Sequence, residues 1–418
     1  MSKIKKADGL ADWLDQRLAT NALGKVLLTE YWIPKNINFL WALGAILLTM
    51  FMILFVTGLI LLMYYKPDIA LAFDSVNKTI MDEVAFGWLF RHTHAVAASV
   101  IFLIIYIHML VGIYYGSYKS GREMIWLSGM ALFMVFSAEA FSGYMLPWGQ
   151  MSYWAAHVIT NLFGYVPIIG DDLTLWIRGN FFVADATLTR FFMLHVVLLP
   201  VVILVLIGVH FYSLRIPHVN NTEGEDIDFD KEAEKFLAGN KKESKVINFF
   251  PGFLAKDFPI IGVFLAFFFY LVFYNYDFAM DPINFDPANN MKTPAHIYPE
   301  WYFLWSYEIL RGFFFDIGPI KGGDLGLIAF GFANVIFLIF PFLDKDPIVR
   351  PAHQRPKFKI WFWALVVNMI ILTIYGKLPP TGVNAYVGFV ISIIFISLFV
   401  IFPSITRADA KIKKGDAQ

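Results

Sequence analysis

The 418-residue chain contains no cysteine and little charge. Without thiols it forms no disulfide, builds no iron–sulfur cluster of its own and offers nothing for covalent thioether attachment of a prosthetic group. Charged residues make up 16% of the chain, against about 25% in an ordinary soluble domain. Its 33 basic and 33 acidic residues cancel to a formal net charge of +0, which removes the electrostatic footing that nucleic-acid binding needs. The opening MSKIKKADGLADWLDQRL is basic and amphipathic rather than basic then apolar, so no cleavable signal is expected. What is abundant is apolar: 58% hydrophobic residues, 44 Phe and 12 Trp, with a mean hydropathy of +0.61. The composition is that of an all-α integral membrane protein, whose length need not divide into soluble domains.

Apolar runs set against polar punctuation predict eight transmembrane helices, near 38–63, 88–113, 124–146, 188–214, 258–277, 324–343, 359–376 and 385–403. An even number places both termini on one side. Lys and Arg divide 24 to 9 in favour of the side that holds the termini, so the positive-inside rule makes that side cytoplasmic. The chain thus divides into an amphipathic cytoplasmic segment (1–37), a first four-helix bundle (38–214), a charged cytoplasmic linker with room for a short helix (215–257), four C-terminal spans (258–403) and a cytoplasmic tail (404–418). Two long outer segments interrupt it, 147–187 and 278–323; loops of that length in a compact protein usually carry function.

Two spans carry paired histidines: His94 and His108, 14 residues apart, and His195 and His210, 15 apart. At about 100° per residue both intervals return to nearly the same helix face, and the rise separates each pair by ~21 Å, within a hydrocarbon core about 30 Å thick. Both spans run from outside to inside, so His94 and His195 share the outer depth and His108 and His210 the inner one. A single buried histidine usually packs or relays protons; two matched pairs, with no carboxylate or thiolate nearby in sequence, suit two axially ligated haems held without covalent bonds. Gly44 and Gly58, and Gly129 and Gly143, repeat the 14-residue interval. Small-residue packing explains one such pair; two in register with the histidines fit helices making room for a macrocycle. Arg91 and Arg190 stand at the outer ends of their helices, placed either to meet haem propionates or to snorkel to headgroups.

At this point specific strings resemble a known family: GYMLPWGQMSYW (143–154), TLTRFFMLH (187–195), IYYGSYK (113–119) and TPAHIYPEWYFLWSYEILR (293–311). From about residue 30 to 405 the chain resembles cytochrome b, the membrane subunit of the quinol:cytochrome c oxidoreductase complex, in its undivided bacterial and mitochondrial form. The resemblance implies that quinol is oxidised at an outer site between the 147–165 segment and the PEWY loop. One electron then goes to a Rieske iron–sulfur protein and on to a c-type cytochrome, the other through both haems to quinone at an inner site, with protons released outside and taken up inside. It implies a homodimeric complex in a bacterial inner membrane.

For the outer site the resemblance points to Glu300 as proton acceptor, with Tyr144, Tyr307, Pro299 and Ala155 around the pocket; a helix-start carboxylate would be the ordinary alternative for Glu300. For the inner site it points to Lys256 and Asp257. Arg215 stands where many relatives have a histidine, with His218 close by, and Val111 replaces an arginine many relatives keep. His92 and His353 are expected to be solvated, His157 has no assigned role, and His296 lies near the expected Rieske docking surface. A histidine-relay transporter would need inverted repeats or broken helices, which the sequence does not show. A di-haem anchor of another dehydrogenase would have fewer spans and no PEWY segment.

Overall fold

A computed structural model describes residues 30–412, together with Gly9 and Asp15. The amphipathic segment expected over 1–37 and the tail expected over 404–418 therefore lie partly outside the described residues. Among these, seven helices are long and apolar enough to cross a membrane: α1 (Phe39–Leu62), α2 (Gly87–Tyr115), α3 (Glu123–Met145), α5 (Asp185–Arg215), α6 (Phe249–Tyr274), α9 (Pro356–Lys377) and α10 (Val383–Ala410). Shorter helices α4 (Gln150–Leu162) and α7 (Leu304–Arg311) fill the two long segments between spans. The remaining expected span, 324–343, sixth in order, corresponds to α8 (Gly322–Leu338), which at 17 residues falls short of the others. The backbone turns out of helix at Ile339, and Pro341 opens a separate four-residue piece, Phe340–Leu343. Proline lacks the amide that would have continued the ladder.

α1 packs on α2 and α3 on α5, and together they form the N-terminal bundle. Its centre is filled by Met50, Phe51, Val96, Ala97, Ile101, Met130, Phe133 and Ile203. The outward faces are equally apolar: Val201, Leu204 and Val205 of α5 are exposed, as a lipid-facing surface requires. α9 packs on α10 and on α7, and α6 leans on α2. A two-stranded antiparallel ribbon joins the chain before α1 to the linker, pairing Trp32–Pro34 with Val246–Asn248. In the linker the helix Phe229–Leu237 is capped by the Asp228 carboxylate, which accepts from the Lys231 amide at 3.1 Å.

One local feature accounts for the unequal histidine intervals. Within α5, residues Leu194–Leu198 form a π-helical turn, and the Leu199 amide donates to Leu194 O. Pro200 follows directly and cannot donate, which favours such a widened turn. The turn takes up one extra residue, so the 15-residue interval from His195 to His210 keeps both imidazoles on one face as 14 regular residues do on α2.

Candidate functional site

His94 of α2 and His195 of α5 face each other with ring centres 6.2 Å apart and planes at 82°. Two imidazoles sharing one metal ion at roughly 2 Å per bond would have ring centres about 6 Å apart. The Thr57 hydroxyl donates to Ile53 O at 2.7 Å, so its oxygen is left to accept from His94 Nδ1, 2.9 Å away. His195 Nδ1 lies 3.0 Å from the Glu139 carbonyl, which can only accept. Both rings therefore carry their proton on Nδ1 and keep Nε2 as the free ligand atom. Both histidines line a cavity of about 1220 Å³ including its mouth, together with Gly58, Arg91, Glu139 and Gly143.

His108 and His210 line a second cavity, of about 1570 Å³ including its mouth, with Gly44, Gly112, Arg122, Gly129 and Asn220. The arrangement on α3 repeats that on α1. Ser128 donates to Met124 O at 2.7 Å and faces His210 Nδ1 at 2.9 Å, while Gly129 follows it as Gly58 follows Thr57. A Cβ at Gly58 or Gly129 would lie 3.3 Å from Cε1 of its histidine, one at Gly143 only 2.4 Å from His195 Cε1, and one at Gly44 would meet nothing within 4 Å. Among the described residues no three His, Cys, Asp or Glu side chains gather into a metal site of their own. Imidazole pairs beside apolar cavities fit a planar metal macrocycle, which supplies the remaining ligands itself.

The two arginines expected at the cavity mouths part company. Arg91 lines the His94/His195 cavity. Arg190 is exposed and packs beside Gly179, where a Cβ would approach its guanidinium to 2.7 Å. Sequence reading missed Arg122, which lines the second cavity and donates to the His218 and Pro217 carbonyls at 3.0 and 3.2 Å. It also missed Thr57, Ser128 and Glu139.

A third cavity, about 760 Å³ including its mouth, shares Arg91, His94, Gly143 and His195 with the first and is also lined by Tyr144, Asp281, Asn284, Glu300 and Tyr302. Glu300 precedes the short helical turn Trp301–Phe303, yet its side chain makes no capping bond there. The carboxyl is thus not spent on backbone donors. Burial, with the Asp281 charge adding to it, pushes Glu300 up to about 7, while the Tyr144 hydroxyl and Lys377 pull the other way. Tyr307 donates to Ile297 O at 3.1 Å; neither it, Pro299 nor the buried Ala155 is among the residues lining this cavity.

The residues expected at the other quinone site are only partly gathered. The Arg215 guanidinium lies 3.8 Å from the Tyr31 ring centre. His218 stacks between Tyr31 (5.1 Å, 8°) and Phe229 (4.1 Å, 9°), forming one column from Arg215 to Phe229. Tyr31 was not anticipated. Asp257 is buried and Lys256 exposed at the start of α6, and none of these residues, nor Phe229, lines the His108/His210 cavity, whereas Val111 does.

Among the other histidines, His92 departs from expectation. It is 6% exposed and stacks on Tyr276 at 3.8 Å, because its place on α2 turns it toward the segment after α6. His353 is exposed, as expected, 3.5 Å from Glu223. His157 sits against Trp154 and Asn161, and His296 lies 3.4 Å from Arg311.

A membrane-spanning helical bundle with two imidazole pairs beside apolar cavities defines a protein of the electron-transport class. The family model described as Cytochrome b/b6/petB matches residues 28–217, and that described as Cytochrome b(C-terminal)/b6/petD matches residues 287–396. The chain is 42% identical to cytochrome b of Rickettsia prowazekii over 375 residues, covering 90% of this chain and 88% of that protein. It is 38% identical to cytochrome b of Allochromatium vinosum over 413 residues, covering 97% of each. A solved structure described as "Hyperthermophilic respiratory Complex III" superposes with a TM-score of 0.85 at 36% identity, covering 96% of this chain and all of that one. The chain belongs to the cytochrome b family.

Proposed function

We propose that this chain is the di-haem cytochrome b subunit of a respiratory quinol:cytochrome c oxidoreductase, oxidising quinol at an outer site and reducing quinone at an inner one. The observation that carries the reading is the sharing of His94 and His195 between two cavities, one fitted to a metal macrocycle and one lined by Glu300. A substrate in the second cavity would lie directly against the first metal centre. Non-covalently bound b-type haems between His94 and His195 and between His108 and His210 would supply one-electron carriers at two depths of the membrane.

The chain's own residues do the rest. Thr57, Ser128 and the Glu139 carbonyl hold three imidazoles with Nε2 toward their cavities. Arg91 and Arg122 offer cations for cofactor carboxylates, the latter standing in for the arginine that Val111 replaces. Glu300, with a pKa near the working pH, takes a proton from the quinol hydroxyl, and Tyr144 beside it orients that hydroxyl. Protons lost at the outer face and taken up at the inner one give proton translocation. At the inner face, Arg215, His218 and Tyr31 offer a polar column, with Lys256 and Asp257 at the start of α6.

The partners of this reading are a Rieske iron–sulfur protein and a c-type cytochrome within a homodimeric complex, and its setting is a bacterial inner membrane with both termini cytoplasmic. The likeness to a respiratory Complex III chain and to bacterial cytochromes b supports it. The test is a reduced-minus-oxidised visible spectrum of the purified chain, followed by quinol-dependent cytochrome c reduction in membranes. Two resolvable b-type components and quinol-dependent turnover are expected. Absence of any b-type absorbance rejects the reading.

A further inference from the structure

Three of the four imidazoles have visible Nδ1 partners, and the partners differ in kind. His94 and His210 face hydroxyls, from Thr57 and Ser128. His195 faces Glu139 twice: the backbone carbonyl at 3.0 Å and the carboxyl Oε1 at 3.1 Å. That carbonyl already accepts from the Ser142 hydroxyl at 2.9 Å. At the other two glycines on this pattern the preceding hydroxyl turns to the imidazole; at Gly143 the preceding Ser142 turns to the Glu139 carbonyl, and the carboxyl stands beside the imidazole in its place. The carboxyl is held within the bundle, 18% exposed, on a membrane span. Its second oxygen, Oε2, is buried and hydrogen-bonds to none of the described residues. Burying a carboxyl costs free energy unless it is paired, and ionisable groups inside membrane spans usually mark function.

We infer that Glu139 is a positioning residue for the outer metal centre: its carboxyl shares the Nδ1–H of His195, fixes that ring and makes it a stronger electron donor than the hydroxyl-held imidazoles. A carboxyl oxygen that accepts from a ligating imidazole raises the ring's basicity and stabilises the more positive state of the metal. The outer centre would then hold its electron less tightly than the inner one, where Ser128 supplies only a hydroxyl to His210. The asymmetry drives electrons inward, from the quinol-oxidising side to the quinone-reducing side. This rests on the haem reading above and adds a cause for the direction of flow.

The test is redox potentiometry of the whole complex in membranes, following the two b-type components separately in the unmodified protein, Glu139→Gln and Glu139→Asp. Glu139→Gln keeps the shape and replaces the carboxyl beside His195 with an amide. Its outer component is expected to shift to a more positive midpoint, with the inner component unmoved and Glu139→Asp lying between. Loss of the outer haem in Glu139→Gln but not in Glu139→Asp also supports the inference, because the carboxyl rather than the volume then holds His195. Two normal haems with unmoved midpoints in Glu139→Gln overturn it, as does loss of the outer haem in both variants. An unmodified protein without b-type absorbance overturns the haem reading itself, and this inference with it.

Discussion

A Cβ placed on Gly143 would lie 2.4 Å from Cε1 and 2.8 Å from Nδ1 of His195. α3 and α5 approach so closely here that one hydrogen in place of a methyl group lets the imidazole stand in its cavity. The same helix pair meets again at Gly129 and His210, where the gap is wider, 3.3 Å. The tighter contact sits beside the π-helical turn that carries His195.

These distances grade the glycines. Gly143→Ala is expected to displace His195 and lose most of the outer haem, because overpacking costs about 1–3 kcal/mol, roughly 5- to 150-fold in retention. Gly58→Ala and Gly129→Ala need shifts of only a few tenths of an ångström and should weaken their own haems less. Haem content per protein, resolved by spectrum, checks the order; equal loss in all three variants would remove the steric argument.

The cavity assignments predict two classes of histidine variant. His94→Ala and His195→Ala should abolish the same spectral component and spare the other, and His108→Ala and His210→Ala should do the reverse. Classes formed by 94 with 210 and 108 with 195 would contradict the pairing of helices seen here.

The sequence made the imidazole pairs legible because helical period turns a spacing into a face, and two long apolar spans leave few alternatives to helix. It did not reveal the π-helical turn: Pro200 marks a break in the ladder but not which way the ladder relaxes. Thr57 and Ser128 carry no sequence signal of their own; only the fold sets them against imidazoles from other helices. Glu139, a single carboxyl in an apolar run, has no periodic signature that marks it. The sixth span reads at full length because 324–343 is apolar but for Asp324 and Asn334, and the interruption at Ile339 is a backbone event that hydropathy does not register. Arg215 and His218 stand out only through the family resemblance, and the ring that brings them together, Tyr31, lies far away in the chain.

A buried ion cluster ties the loop after α2 to the segment between α8 and α9. Asp344 pairs with Arg355 at 2.9 Å and Lys119 at 3.3 Å, and accepts from the Tyr118 hydroxyl at 2.6 Å. Asp344→Ala takes one acceptor from the Tyr118 hydroxyl and from two buried cations, leaving Arg355 only Asp346 at 3.2 Å and Lys119 only the Ile348 carbonyl at 3.0 Å, and breaking a buried pair typically costs about 3–5 kcal/mol. Breaking the exposed Glu225–Lys245 pair, 2.8 Å apart, in Glu225→Ala should matter far less, because solvent screens it. Thermal loss of the haem spectrum measures both; similar midpoints for the two variants would deny the cluster its structural role.

Glu300 gives the pH prediction. Burial raises its carboxyl to about 7, so the basic form that the proposed proton transfer needs is scarce below that pH and prevails above it. Quinol oxidation should therefore rise as pH increases through about 7, and Glu300→Gln, which cannot accept the proton, should be slow at every pH with its haem spectrum intact. Folding stability runs the other way. The folded state binds this proton more tightly than the unfolded chain, so the protonated form's advantage is complete below the unfolded carboxylate range and is lost as pH climbs toward 7. Glu300→Gln stays neutral and should lack that decline. Turnover of Glu300→Gln equal to the unmodified protein from pH 6 to 8, a window of roughly one unit either side of the group's pKa, would leave Glu300 without a role in proton transfer.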